Sequence, residues 1–324
     1  MHILKFFAAT VVMAVLVAAP AAARAQATDR PIRIIIPFGP GANSDVITRL
    51  IAQKVTERGG PQVIIENRPG GGGVVGALAA KQAKPDGQTL FAANMGSHVL
   101  LPFLQKIPFD PVKDFRPVTQ LFYFPLFMIV PAAIPARTAA ELVAWGRGRP
   151  EGLAFGSQGV GSNPHILGMQ LANSTGLKMQ HVPYPAGGAP MNLDIIAGRL
   201  DLVFSTYASL NDHRRDGKVK FLAIVAPKRS PLAPDIPTMA EAGFPGLDTN
   251  TWFGLVAPAG TPEAVVAALN KLFAGAANAP DVVAKLNEQA VVVQTQSPAE
   301  FAAIIDSDIN RLGNIVRASG AKAD

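Results

Sequence analysis

Short apolar runs alternate with amphipathic segments along most of this 324-residue chain. That rhythm restricts it to an α/β fold with helices packed on the faces of its sheets. Residues 33–38, 62–66 and 89–93 read as strands, and 153–156, 201–204 and 220–226 repeat the pattern. Between them lie helical stretches at 44–58, 74–82 and 164–173. In the first, Val46, Ile47, Leu50, Ile51 and Val55 share one helical face. Strands followed by helices run mainly parallel, and open sheets of that kind take ligands beyond the carboxyl ends of their strands.

Two extended segments depart from the rhythm. Residues 126–131 and 252–258 are apolar and proline-flanked, with no evident helix directly behind them. Strands that cross between two domains fit this description. The expected organisation is a leader over 1–25, a discontinuous first domain of 26–124 plus 254–324, and a second domain of 125–253.

The leader follows from the N-terminus. Lys5 precedes an apolar run over 6–19, and Ala23-Arg24-Ala25 has the small-x-small form of a cleavage site. The run is shorter than the ~20 residues a membrane-spanning helix needs. A secretory signal peptide cleaved after Ala25 is expected, and with it a periplasmic location. Further on, the most apolar stretch, 122–134, is broken by Pro125 and Pro131. With no cysteine in the chain, lipid attachment, disulfides and thiol chemistry are excluded. The net charge of +6 is scattered, without the basic, aromatic-interleaved runs of a nucleic-acid binder.

Four loops after strands carry polar side chains. Residues 37–45 contain Phe38, Gly41, Ala42, Asn43 and Asp45, with Asn43 or Ser44 suited to cap the helix that follows. A helix start offers free N–H groups and a positive dipole end to a carboxylate, although the same spacing also describes a plain capped turn. Residues 157–165 carry Ser157, Gly161, Ser162, Asn163 and His165, with Asn163 as cap and Pro164 in the first turn. His165 fits either a cleft or a helix surface. Ser97, as a cap, and Thr206 belong to the third and fourth loops.

Enzyme signatures are missing or incomplete. Gly71-x-Gly73-x-x-Gly76 follows a strand, but four residues intervene and no acidic strand end follows at dinucleotide-binding distance. There is no nucleophile elbow and no phosphate-binding loop, and His98, His165, His181 and His213 lack metal-site spacing. No cofactor and no metal are expected. A serine–histidine pair assembled from distant segments stays open, and with it a hydrolase reading.

The chain resembles the Bug-type solute receptors of tripartite tricarboxylate transporters over nearly the whole length after the leader. The matching residues begin at Arg30-Pro31-Ile32-Arg33 and Pro37-Phe38-x-Pro40-Gly41-x-x-x-Asp45. They continue through Glu66-Asn67-Arg68-Pro69-Gly70, Pro85-Asp86-Gly87, Phe109-Asp110-Pro111 and His181-Val182-Pro183-Tyr184. Later matches are Lys228-Arg229-Ser230-Pro231, Pro237-Thr238 and Trp252-Phe253-Gly254-Leu255 with Pro258-Ala259-Gly260-Thr261-Pro262. The resemblance implies a two-domain, type II-like Venus flytrap with two crossover strands. It also implies a carboxylate held between the domains by backbone groups and bridging waters, for delivery to membrane subunits. The ligand contacts it implies lie in the loops named above, together with Tyr184. No catalysis is expected, and a monomer is. A receptor feeding a signalling kinase fits the same features.

Two departures bear on the ligand. Ala42 stands where relatives have a second glycine, and Ser205 where many have an aspartate able to pair with an amine. An amino-acid ligand is therefore disfavoured. Phe122-Tyr123-Phe124 is unusually aromatic, and Tyr123 with Phe124 fits either a wall for an aromatic acid or ordinary hinge packing.

Overall fold

In the computed structural model, residues 30–184, 188–247 and 251–319 are described. The expected leader and cleavage site lie outside them.

The chain opens with β1 (Ile32–Ile36), α1 (Asn43–Glu57), β2 (Val63–Asn67), α2 (Val74–Lys81) and β3 (Thr89–Asn94). A π-turn over Gly96–Leu100 leads into the short α3 (Leu101–Leu104), and the ten-residue β4 (Phe115–Phe124) follows. Only Pro125 separates it from β5 (Leu126–Pro131), which belongs to a different sheet. The second sheet is built with α4 (Ala139–Arg147), β6 (Leu153–Ser157), α5 (Asn163–Thr175), β7 (Met179–Pro183), α6 (Gly188–Ile196), β8 (Leu202–Thr206), α7 (Tyr207–Arg215) and β9 (Val219–Val225). The chain then returns to the first sheet through β10 (Thr251–Pro258), followed by α8 (Glu263–Ala277), α9 (Pro280–Asn287), β11 (Val292–Val293) and α10 (Pro298–Ser319).

The first sheet has the order β11-β4-β10-β3-β1-β2 and the second β7-β6-β8-β5-β9. Neither is wholly parallel. β1 pairs in parallel with β2 and β3, whereas β10 runs antiparallel to both β3 and β4. In the second sheet β5 is antiparallel to β8 and β9. The physical reason is the crossing itself, because a strand arriving from the other sheet enters against the direction of the βα units.

Each sheet buries both faces, as apolar strand runs require. One face of the first packs Ile34, Ile36 and Leu255 against Ile47 and Ile51 of α1 and Leu269 and Phe273 of α8. The other packs Ile35, Phe91 and Trp252 against Ala77 of α2 and Phe301, Ile305 and Leu312 of α10. Gly254 lets that last helix close in, since a Cβ there would overlap the Phe301 ring and the Thr119 carbonyl oxygen. Trp252 meets Phe301 edge to face at 5.1 Å, and its indole N–H donates to Asp308 at 2.9 Å.

Phe301 is fully buried, so Phe301→Ala should cost about 3–5 kcal/mol in urea denaturation. A loss below ~1 kcal/mol would show that α10 is not held through this ring.

Candidate functional site

The carboxyl ends of β1, β3, β6 and β8 face one cleft of about 940 Å³ between the sheets, within the size range of small-molecule sites. Seven of the residues expected from sequence line it: Phe38, Asn43, Phe124, Gly161, Ser162, Asn163 and Thr206. Others expected there do not, and the structure gives each another task.

Asp45 is 2% exposed and holds the first loop in shape. Its carboxylate accepts from Gly41 N at 2.9 Å, Arg49 Nε at 3.1 Å and Asn67 Nδ2 at 2.9 Å. Asn67 Nδ2 also donates to the Phe38 carbonyl. Burial opposes ionisation of Asp45, but the bonds from Arg49, Gly41 and Asn67 outweigh it and keep the carboxyl below its ordinary range. The loop therefore has its own internal clamp. Its one left-handed residue is Gly41, at φ +84°, while Ala42 sits at φ −61°. Replacing the second glycine by alanine thus strains nothing. Ala42, not Asn43 or Ser44, is the N-cap of α1.

The second loop is clamped by histidines. Ser157 is fully buried; its Oγ lies 2.6 Å from His181 Nε2, donates to the Gly159 carbonyl and accepts from Gly159 N. His165 Nδ1 accepts from Gly161 N at 3.1 Å, which places its proton on Nε2. The two imidazoles lie 4.2 Å apart behind the loop, and Phe155 stacks on His165. Burial, with His181 beside it, pushes His165 down to about 4. A serine–histidine pair thus exists, but its hydroxyl is fully buried, engaged on both sides and not among the residues that line the cleft. Ser162, not Asn163, is the N-cap of α5.

Ser97 and Tyr184 also turn away. Ser97 lies within the π-turn and caps no helix. Its N–H donates to Asn94 Oδ1 at 3.1 Å, and its hydroxyl lies 3.3 Å from His98 Nδ1. His98 is fully buried among Phe91, Phe109 and Phe115, and burial pushes it down to about 3. The Tyr184 hydroxyl donates to Asp194 Oδ2 at 2.5 Å on α6, and Asp194 pairs with Arg199. Burial and the adjoining carboxylate push that phenol up to about 12. Tyr123 fails as a wall because side chains alternate along a strand. It faces the buried side with Trp252, its cross-strand partner, while Phe124 faces the cleft.

Several lining residues were not expected from sequence. Gly70–Gly73, all with positive φ, form one wall. Asn94, Gln105, Gln158, Asn192, Ser205, Thr251 and Phe253 add polar groups and one ring. Gln158 lies in the 157–165 loop and Ser205 is a departure from relatives, whereas Thr251 and Phe253 arrive on the returning strand. Asn163 Nδ2 donates to Thr251 Oγ1 across the cleft. Gly161 packs so tightly on Leu104 of α3 that a Cβ would overlap it.

Among the described residues, no Asp, Glu, Lys, Arg or His lines the cleft. What converges instead are helix starts. Asn43 begins α1, Ser162 and Asn163 begin α5, and Thr206 begins α7. None of the three N-cap side chains accepts a backbone N–H of its own helix. The Ser162 hydroxyl donates to the Gly159 carbonyl, and Thr206 Oγ1 pairs with Ser209 Oγ. First-turn N–H groups and positive dipole ends are thereby presented to one space, an arrangement suited to an anion. No group of three or more potential metal ligands occurs among the described residues, and no helix there is long and apolar enough to cross a membrane.

Residues 47–321 match the tripartite tricarboxylate transporter family receptor group, TctC. The chain is 34% identical to the UPF0065 protein in the tcbD-tcbE intergenic region of Pseudomonas sp. strain P51, over 90% of this chain and 88% of that protein. It is 30% identical to BugT of Bordetella pertussis, over 90% of each. Among solved structures, the R. palustris protein Rpa4515 with adipate superposes with a TM-score of 0.77 at 30% identity, over 91% of this chain and 99% of that one. MatC from Rhodopseudomonas palustris, with bound malate, gives 0.73 at 30% identity, over 89% and 99%. The periplasmic binding protein BugD gives 0.74 at 26% identity, over 91% and 99%.

Folding neutral His98 and His165 forfeits protons that the unfolded chain binds near pH 6.5. Their depressed native values mean stability is full above about pH 6.5 and is lost as pH falls toward 4 and below. Denaturant titrations at pH 7.5 and 4.5 should show this loss, and His98→Phe should make it smaller. An unchanged loss in the variant would remove His98 from the account.

Proposed function

Because the chain belongs to the tripartite tricarboxylate transporter receptor family, a family of two-domain solute receptors, we propose that it captures a small organic carboxylate in the periplasm and delivers it to the membrane subunits of such a transporter. The ligand is a dicarboxylate or an aromatic or vitamin-like acid, bound without chemical change by a monomer. Its two domains are 26–124 with 254–324, and 125–253, and export removes a leader ending at Ala25.

The observation that carries this reading is a cleft whose described lining residues carry no charge and which three helix starts lacking side-chain caps enter. A carboxylate there meets fixed dipoles instead of a side-chain cation. Each helix end contributes about 0.3–1 kcal/mol when exposed and up to ~2 when partly buried. Such a site holds an anion without an ion pair that must be broken for release. The loop geometry supports the same reading, since the Asp45 and His165 clamps set both anion-facing loops from within. Domain closure then completes the cage, with the 157–162 loop approaching α3. Adipate and malate, bound by the two R. palustris relatives, support a carboxylate.

A carboxylate that binds should stabilise the protein by about 2.7 kcal/mol at 100 times its dissociation constant. It should be recovered unaltered. Ser205→Asp puts a fixed anion into the cleft and should weaken binding at least tenfold by calorimetry, as like charges repel across a desolvated gap. Undiminished affinity in that variant would place the site elsewhere.

A further inference from the structure

We infer that the ligand is an arene carboxylic acid carrying a second oxygen acceptor, its ring against Phe124, Phe253 and Phe38 and its second oxygen at Asn94. The inference rests on the receptor reading above and selects within it.

The three rings form one surface. Phe253 lies edge-on to Phe124 at 5.4 Å and tilted to Phe38 at 6.2 Å. Behind them Phe122, fully buried, stacks on Phe253 at 5.2 Å and 13°, so the wall is backed by a fixed ring. Strand register explains the grouping: Phe253 stands opposite Phe122, and Phe124 lies two residues further along β4 on the same face. All three front rings line the cleft and are only partly buried. Partly exposed rings with faces and edges at several angles favour a flat π-system over a flexible chain, because offset and edge-to-face contacts add to simple burial.

Asn94 supplies the second polar point. It stands directly opposite Phe253 in the β3–β10 pairing, so its side chain is beside that ring on the same face. It is 6% exposed and lines the cleft. Its Oδ1 is fixed by the Ser97 N–H, which settles the amide orientation, and Nδ2 has no protein partner. A buried donor left unsatisfied costs about 1–3 kcal/mol, so a ligand oxygen placed there recovers a substantial term. The donor is neutral, which suits a hydroxyl, an oxo group or an ether as well as a carboxylate. Among the described residues lining the cleft there is no cation to single out a second full negative charge.

The experiment is calorimetry of the purified protein with 3- and 4-hydroxybenzoate, benzoate, cyclohexanecarboxylate, adipate and malate. A hydroxybenzoate should bind tightest, and benzoate should exceed its saturated twin by about fivefold. Phe124→Leu should erase most of that ring preference while leaving cyclohexanecarboxylate within about twofold. Asn94→Leu should erase the preference for hydroxybenzoate over benzoate. Adipate or malate binding more tightly than every arene acid overturns the inference and leaves the carboxylate receptor standing. Equal affinity for benzoate and cyclohexanecarboxylate overturns it also, and needs no variant that must fold. Binding of none of the six acids removes both readings together.

Discussion

The returning strand β10 holds this molecule together. It enters between β3 and β4, antiparallel to both, and completes a sheet whose other strands come from the two ends of the chain. Without it β4 and β11 would have no bonded path to β3, and the face covered by α10 would lose Trp252 and Gly254. The same strand delivers side chains to the cleft. Thr251 reaches Asn163 of the opposite half, and Phe253 lies in the cleft wall beside Asn94. Fold stability and site geometry thus depend on a single pairing register, and a slip of one residue would exchange Phe253 for Trp252.

The two loops that lead into α1 and α5 are built on one plan with different chemistry. Asp45, tied to Arg49 and Asn67, shapes the first through Gly41 N; His165, with Ser157 and His181 nearby, shapes the second through Gly161 N. In each, a buried side chain takes up a loop N–H, while the helix start beyond it keeps its first turn free of side-chain caps. These charged and titratable groups stay behind the loops, and the described residues that line the cleft are all neutral. That division sets the shape of the binding surface without adding charge to it.

Much of the α/β organisation was legible because apolar runs and helical periodicity are local signals. The strand-end loops were legible for the same reason, which is why Phe38, Asn43, Gly161, Ser162, Asn163 and Thr206 lie along the cleft. Side-chain roles were less so. Asp45, Ser157, His165 and Ser97 sit in or beside loops that border the cleft, yet some face partners such as Asn67 and His181 that come from other strands. Tyr123 and Phe124 are neighbours in sequence and opposites in space, and only the register with β10 says which one faces outward. Thr251 and Phe253 entered the cleft through a long-range pairing that no local pattern announces.

Only Pro125 separates β4 from β5, and its neighbours Phe124 and Leu126 both line the cleft. A rotation of one sheet against the other about that residue leaves these two side chains almost still, as points near a fulcrum, while the 157–162 loop travels along the rim. In the closure proposed above, whatever rests on Phe124 would be seated before the movement and stay seated through it. Under the proposed closure, the far loops would meet the ligand only at the end of their arc, so ligand size would be gauged at the rim and ligand character at the pivot.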